Sequence, residues 1–224
     1  MSAFRTIGTT LGLLASPAFV YVASWFAEVR GVHDFIYPGA VWRTRKPHVV
    51  LSFDDGPDPE RTPRLLDALA ASEARALFFV VGTQVERRPD LVQRMAREGH
   101  IVGNHSYSHR WLPVQSTRRI EDEIDRCQDA VRAATGSAPV LARPPYGHKD
   151  FRYYRVLAER GMTAVLWSRN LRDYYRTSSA VLVRRLARAR PGEIVMAHDG
   201  DPLAPHTVTA VTEWLKTRPA VGLL

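Results

Sequence analysis

The stretch VVLSFDDGP, residues 49–57, changes character halfway along. Val49, Val50, Leu51 and Phe53 form the short apolar run of a buried strand, and Asp54, Asp55, Gly56 and Pro57 follow at once with charge and backbone breakers. Asp, Gly and Pro are common turn residues, so the motif alone reads equally well as a plain turn. What the paired carboxylates do depends on the rest of the chain.

Outward from this strand, short apolar runs alternate with segments of helical period. Strands are expected at 48–53, 76–81, 100–103, 140–142, 163–167, 194–197 and 221–224. Helices are expected at 62–72, 89–98, 116–134, 151–160, 178–189 and 206–217. In RPDLVQRMAREG, residues 88–99, a proline opens the helix and a glycine closes it; Ser116 and Thr135-Gly136 mark the ends of the longest one. This alternation predicts an α/β protein with a parallel sheet covered by helices, closed into a barrel or left open. Function is then expected beyond the carboxyl ends of the strands.

The 224 residues suffice for one sizeable domain, with no internal repeat and no low-complexity segment. The net charge of +8 comes from Arg scattered along helical segments. No basic cluster interleaves with aromatics, so nucleic acid is not an expected partner. Cys127 is the only cysteine, which excludes an intrachain disulfide and a cysteine-built zinc site.

Residues 6–27, TIGTTLGLLASPAFVYVASWFA, carry no charged side chain and are long enough to span a bilayer, which takes about 20 residues. We read residues 1–30 as a membrane anchor or uncleaved signal, 31–47 as a short linker and 48–224 as the main domain. A cleaved signal peptide and a buried helix are the alternatives. Arg30, Arg43, Arg45 and Lys46 follow the apolar stretch while only Arg5 precedes it, so the positive-inside rule points the domain toward the cytoplasm.

Chemically capable side chains fall at the ends of separate expected strands: Asp54 and Asp55, His105 and His109, Arg143, Asp173, and His198 with Asp199. The two histidines of NHSYSH, residues 104–109, would share a face if the segment turned helically, a spacing that lets both reach one metal. One carboxylate from Asp54-Asp55 added to them makes two imidazoles and a carboxylate with open positions, which suits zinc, with cobalt or iron as alternatives. If Asp55 binds the cation, Asp54 is free to accept a proton, with Arg143 of RPPYG as its fixed positive partner, unless Arg143 merely pairs with a surface carboxylate. Pro144 and Pro145 lack an N–H, so the Tyr146 amide is the first one available to an oxyanion. His198 suits a general acid for a leaving amine, and the bland alternative is a satisfied core histidine. His148 and His206 receive no role, and His33, His48 and His100 are read as structural or incidental.

LSFDDGP, HSYSH, RPPYG, WSRNLRDY and VMAHD, in this order and at these separations, resemble the five motifs of the polysaccharide deacetylase family, carbohydrate esterase family 4, also known as the nodulation-protein-B homology domain. The resemblance runs from about residue 48 to the C-terminus. It implies a distorted, incomplete (β/α)7 barrel, here preceded by an N-terminal hydrophobic helix. The implied reaction is metal-dependent removal of acetyl groups from N-acetylglucosamine-containing glycans such as chitin-like oligomers, peptidoglycan or a lipid-linked sugar. By the same resemblance Asp55, His105 and His109 bind one divalent metal, Asp54 is the base and Arg143 orients it. Tyr146 gives its backbone N–H to the oxyanion, His198 is the acid and Asp173 tunes it. Tyr146, Tyr174 and Trp167 face the substrate.

Three positions depart from the family pattern. Ser52 replaces the usual Thr, Asn170 stands where Asp is frequent, and Tyr174 stands where Trp usually closes the fourth motif. Asn cannot carry charge and Tyr offers the acetyl methyl a smaller apolar face. A catalytically silent glycan-binding member and a deacylase or deformylase of a small or lipid-linked amide are the competing readings. The resemblance favours a membrane-anchored or secreted protein with an extracytoplasmic domain, against the charge asymmetry.

Overall fold

The computed structural model describes residues 39–148, 150–217 and 219–224. The hydrophobic stretch 6–27, the assigned segment 1–30 and His33 lie outside the described residues. Among those described, no helix is long and apolar enough to cross a membrane.

Seven strands form one sheet in the order β5-β4-β3-β2-β1-β7-β6. They are β1 (Val50–Asp54), β2 (Leu77–Val80), β3 (Ile101–Asn104), β4 (Leu141–Ala142), β5 (Thr163–Ala164), β6 (Arg169–Asn170) and β7 (Ile194–His198). All neighbours are parallel, as the alternation with helices requires. The helices are α1 (Arg61–Ala71), α2 (Gly82–Arg87), α3 (Pro89–Arg97), α4 (Thr117–Thr135), α5 (Phe151–Glu159), α6 (Ser179–Leu186) and α7 (Thr207–Leu215).

Both faces of the central strands are buried, which is why β1 and β2 read as apolar runs without polar alternation. Leu51, Phe53, Phe78, Val80 and Val195 pack outward against Leu65, Leu66, Leu69, Met95 and Trp214 of the helices. Val50, Leu77, Phe79, Val165 and Ile194 form a separate core on the other face, inside the curl. Burying side chains of this size stabilises by about 1.5–3 kcal/mol each relative to exposure. The longest helix among the described residues, α4, has its ends fixed as its sequence predicts: the Ser116 hydroxyl accepts the Arg119 N–H at 3.2 Å, and Gly136 closes it in the left-handed region at φ 79°.

The structure differs from the sequence reading in several places. Residues 221–224 are not a strand, because the segment makes a single bridge, Val49 to Val221, before Gly222 meets the His48 ring. The seventh strand is β6, too short and too polar to show a periodicity. The stretch 163–167 pairs with β4 at Thr163 and Ala164 and no further; the chain beyond meets Val41, whose N–H donates to the Ala164 carbonyl and whose carbonyl accepts the Leu166 N–H, both at 2.8 Å. Finally, residues 41–44 of the expected linker lie within the fold. Besides the Val41 bonds, Thr44 N–H donates to the Gly192 carbonyl at 2.8 Å, so this segment connects the end of edge strand β5 to the turn that leads into β7.

Candidate active site

β1 delivers two carboxylates that part company at one residue. Asp54 is the last strand residue, and Asp55 adopts φ 73°, in the left-handed region. Asp is among the few non-glycine residues enriched there, and the turn sends its carboxylate to different neighbours from those of Asp54. Asp54, buried, accepts from Arg143 Nη1 at 2.7 Å. Asp55 Oδ1 faces His109 Nε2 at 3.0 Å and His105 Nε2 at 3.3 Å. Adjacent aspartates therefore hold separate positions, which answers the question the DD pair raised.

The two histidines reach Asp55 by a different route from the one expected. NHSYSH does not turn helically; it is a loop with Ser106 at φ 64° and His109 at φ 53°. Asn104 accepts the Ser106 N–H at 2.9 Å and anchors itself to the Ile124 carbonyl of α4. Glu123, a buried carboxylate on α4, accepts the Ser108 N–H at 2.7 Å and its hydroxyl at 2.6 Å. His105 Nδ1 pairs with the Arg143 carbonyl at 2.8 Å, the contact that fixes its tautomer and turns Nε2 toward Asp55.

Asp55, His105 and His109 bring one ligand atom each within 4.8 Å of the others. Asp55 Oδ1 is buried and accepts no hydrogen bond, a costly arrangement that a cation at this point would relieve. Burial pushes the Asp55 carboxyl up, and the two facing imidazoles more than reverse it, holding the group well below the usual carboxylate range. Two imidazoles and a carboxylate fit a divalent transition metal. Asp55, His198 and Asp201 form a second group within the same reach, with one imidazole instead of two.

Arg143 crosses the interior of the half-barrel. Besides Asp54 it donates to the Ser52 hydroxyl and to the Val165 and Leu166 carbonyls, each at 2.9 Å, and its guanidinium lies 4.1 Å from the Phe79 ring centre. It is fully buried, so the surface-pair alternative does not hold. Burial lowers its pKa and Asp54 opposes that shift. The next turn places Tyr146 at φ 59°, with its ring 4.5 Å from that of His109. The N–H groups of Gly147 and His148 turn back to the Pro144 and Pro145 carbonyls; the Tyr146 N–H has no backbone acceptor among the described residues. Gly147, at φ 68°, lies on Trp167, where a Cβ would come within 2.3 Å of the indole.

His198 is in register with Asp54 across the β1–β7 pair, so the two side chains leave adjacent strand ends. Its Nδ1 pairs with Asp173 Oδ1 at 2.8 Å, its own N–H donates to Asp173 Oδ2 at 2.8 Å, and Thr207 donates to the same oxygen at 2.6 Å. Burial lowers the imidazole pKa, but hydrogen bonding and charge from Asp173, reinforced by Asp54 and Asp55, raise it to about 9. Asn170 does not touch this pair. Its Oδ1 accepts the Arg172 N–H at 2.8 Å and its Nδ2 donates to the Tyr174 hydroxyl at 3.0 Å, so the two departures in the fourth motif contact each other. The Tyr174 ring stands perpendicular to His198 at 5.4 Å.

Residues 42–165 match the family described as polysaccharide deacetylase. The chain belongs to the polysaccharide deacetylase family. It is 40% identical over 161 residues to a chitooligosaccharide deacetylase of Sinorhizobium fredii, a match covering 71% of this chain and 75% of that one. It is 41% identical over 152 residues to peptidoglycan-N-acetylglucosamine deacetylase PgdA of Listeria monocytogenes, covering 67% of this chain but only 32% of that longer protein. The fold superposes on the crystal structure of the Bc1960 peptidoglycan N-acetylglucosamine deacetylase with a TM-score of 0.77 at 30% identity, covering 83% of this chain and 90% of that one. These relatives are hydrolases of N-acetyl amide bonds.

Sequence reading missed several residues that build this family site. Glu123 and Asn104 hold the histidine loop, and Thr207 holds Asp173; Ser52, noted in the sequence only as a departure from the pattern, links Arg143 to the Val195 carbonyl. Asp199, buried beneath Gly56, accepts the Thr62 hydroxyl; burial, with help from Asp55, pushes its carboxyl up to about 7. The sequence marks Asp199 only as one of the polar residues at a strand end; the close packing beside it does not show there, and a Cβ on Gly200 would lie 2.0 Å from the Asp55 carbonyl.

Proposed function

We propose that this chain hydrolyses the N-acetyl groups of N-acetylhexosamine-containing glycans, of the chitin-oligomer or peptidoglycan kind. The observation that carries the reading is the left-handed turn at Asp55. It gives one carboxylate to a pair of imidazoles and leaves its neighbour beside Arg143, in register with a histidine held on a buried aspartate. That is a ligand set, a base and an acid around one point.

A divalent cation held by Asp55, His105 and His109, with zinc the best fit and cobalt or iron alternatives, would polarise the acyl carbonyl and acidify the attacking water. Asp54, fixed by Arg143, takes the proton from that water. The Tyr146 N–H donates to the oxygen on which negative charge develops. His198 gives its proton to the departing nitrogen, and Asp173 keeps the imidazole oriented and charged until then. Tyr146, Trp167 and Tyr174 border the substrate. Water adds to the acyl carbon, the C–N bond breaks, and acetate and a free amine leave.

We also assign residues 6–27 to membrane anchorage and the domain to the extracytoplasmic side, where a wall glycan lies; fractionation with protease protection from outside the cell tests this.

The test of the activity is metal-loaded protein on N-acetylglucosamine oligomers and peptidoglycan fragments, with released acetate measured before and after chelation. Acetate release that stops with chelator and returns with zinc is the expected result. Glycan binding without release points instead to a silent cleft, and release of formate alone to a small-amide deacylase.

A further inference from the structure

The Asn170–Tyr174 contact leaves one proton unassigned. Asn170 Oδ1 accepts the Arg172 N–H, which fixes the orientation of the amide, so Nδ2 must be the group facing Tyr174 and the Tyr174 oxygen must be the acceptor. The phenolic proton then points elsewhere, and it has no acceptor among the described residues. Burial raises the Tyr174 pKa, so the phenol keeps that proton at neutral pH.

The ring position tells where the donor lies. Tyr174 is half-buried, packed against Tyr175 with ring centres 4.7 Å apart and perpendicular to the His198 imidazole at 5.4 Å. His198 Nδ1 is committed to Asp173, so its Nε2 faces the scissile nitrogen. A phenol on the flank of that ring stands beside the imidazole at which the proposed bond cleavage takes place. Where the family pattern has an indole at this position, the wall is apolar; here it carries a directed hydroxyl.

We propose that Tyr174, held by Asn170, is a specificity-determining donor that favours acyl groups bearing an oxygen on the α carbon, N-glycolyl over N-acetyl, in the sugar amides this site hydrolyses. The inference rests on the proposed amidase chemistry. The reaction is unchanged in its balance: water adds to the acyl carbon, the amine departs with the proton from His198, and glycolate replaces acetate. A donor in a half-buried wall gains most from a substrate oxygen and is left unpaired by a methyl group, a difference of roughly fivefold for one neutral hydrogen bond.

The experiment uses full-length, zinc-loaded protein and two matched glucosamine trimers, one N-acetylated and one N-glycolylated. In wild type, the ratio of kcat/KM for glycolyl over acetyl is expected to exceed one, and Tyr174→Phe and Asn170→Ala are each expected to lower that ratio about fivefold. A ratio unmoved by both substitutions overturns the inference while acetate release keeps the amidase reading intact. Binding to Asp54→Asn, which separates recognition from turnover, provides the second readout. Tighter binding of the glycolyl trimer, lost on adding Tyr174→Phe, supports the donor even where wild type releases neither acid and the amidase reading fails. Equal binding of the two trimers overturns it.

Discussion

β1 and β7 are five residues each and pair along their whole length, whereas β4, β5 and β6 have two residues each and hand their side chains over to loops. Asp54 and His198 sit at the ends of the long pair, where a register slip would turn every buried side chain to the wrong face. Tyr146, Trp167, Asn170 and Tyr174 belong to the short side, where the backbone enters the left-handed region at Tyr146, Arg172 and Arg176. In the proposed reaction the proton-transfer residues stand at the ends of the long, fully paired strands, and the residues assigned to substrate contact stand on the short strands and their loops. The two departures within the fourth motif fall on the short side.

Substitutions can break that division, and the largest effect is expected at its centre. Asp54→Asn removes the base without changing shape and should lower kcat by about 10²–10⁴-fold, with zinc binding retained in calorimetry; loss of zinc along with activity would place Asp54 among the ligands instead. Arg143 ties the long side to the short one. Arg143→Met leaves Asp54 buried without its partner and should destabilise the fold by about 3–5 kcal/mol in urea unfolding. A shift under 1 kcal/mol would mean the guanidinium is not what holds the interior together.

A third expectation concerns pH. His198 must carry its proton to act as acid, and its pKa of about 9 predicts that activity holds through neutral pH and falls as pH rises through about 9. Asp173→Asn removes the chief raising influence and should move that alkaline limb down toward the ordinary histidine value of about 6.5. A limb that stays in place assigns it to another group. The same charge supports folding at pH below about 6.5, and this contribution is lost as pH rises through about 9. The smallest effect is expected at the rim: Gly147→Ala forces a Cβ at positive φ onto Trp167, and should raise KM severalfold while kcat changes less. A fall in kcat alone would place that turn among the proton-transfer parts.

How legible each part was in the sequence follows the same division. Apolar runs of four or five residues announced β1, β2 and β7, and capping residues announced the long helices within about two positions. A two-residue strand such as Arg169–Asn170 has no period to read, because it is held by partners distant in sequence and not by its own pattern. The chemistry-bearing residues were readable because they sit at strand ends. Their means of placement were not: the left-handed turns at Asp55 and His109, the Glu123 clamp and the Asn170–Tyr174 contact all depend on tertiary packing. The assumed helical turn of NHSYSH shows the limit, since His105 and His109 meet at Asp55 through a left-handed loop and not along a helical face.

The bridge at Val41–Thr44 has a mechanical meaning. It works like a clasp between one edge strand and the turn that leads into β7, tied to Ala164 and Leu166 on one side and Gly192 on the other. Tension entering at Gly39 loads these hydrogen bonds before any other part of the sheet. Under force the clasp should yield first and the sheet behind it second, in two separate steps.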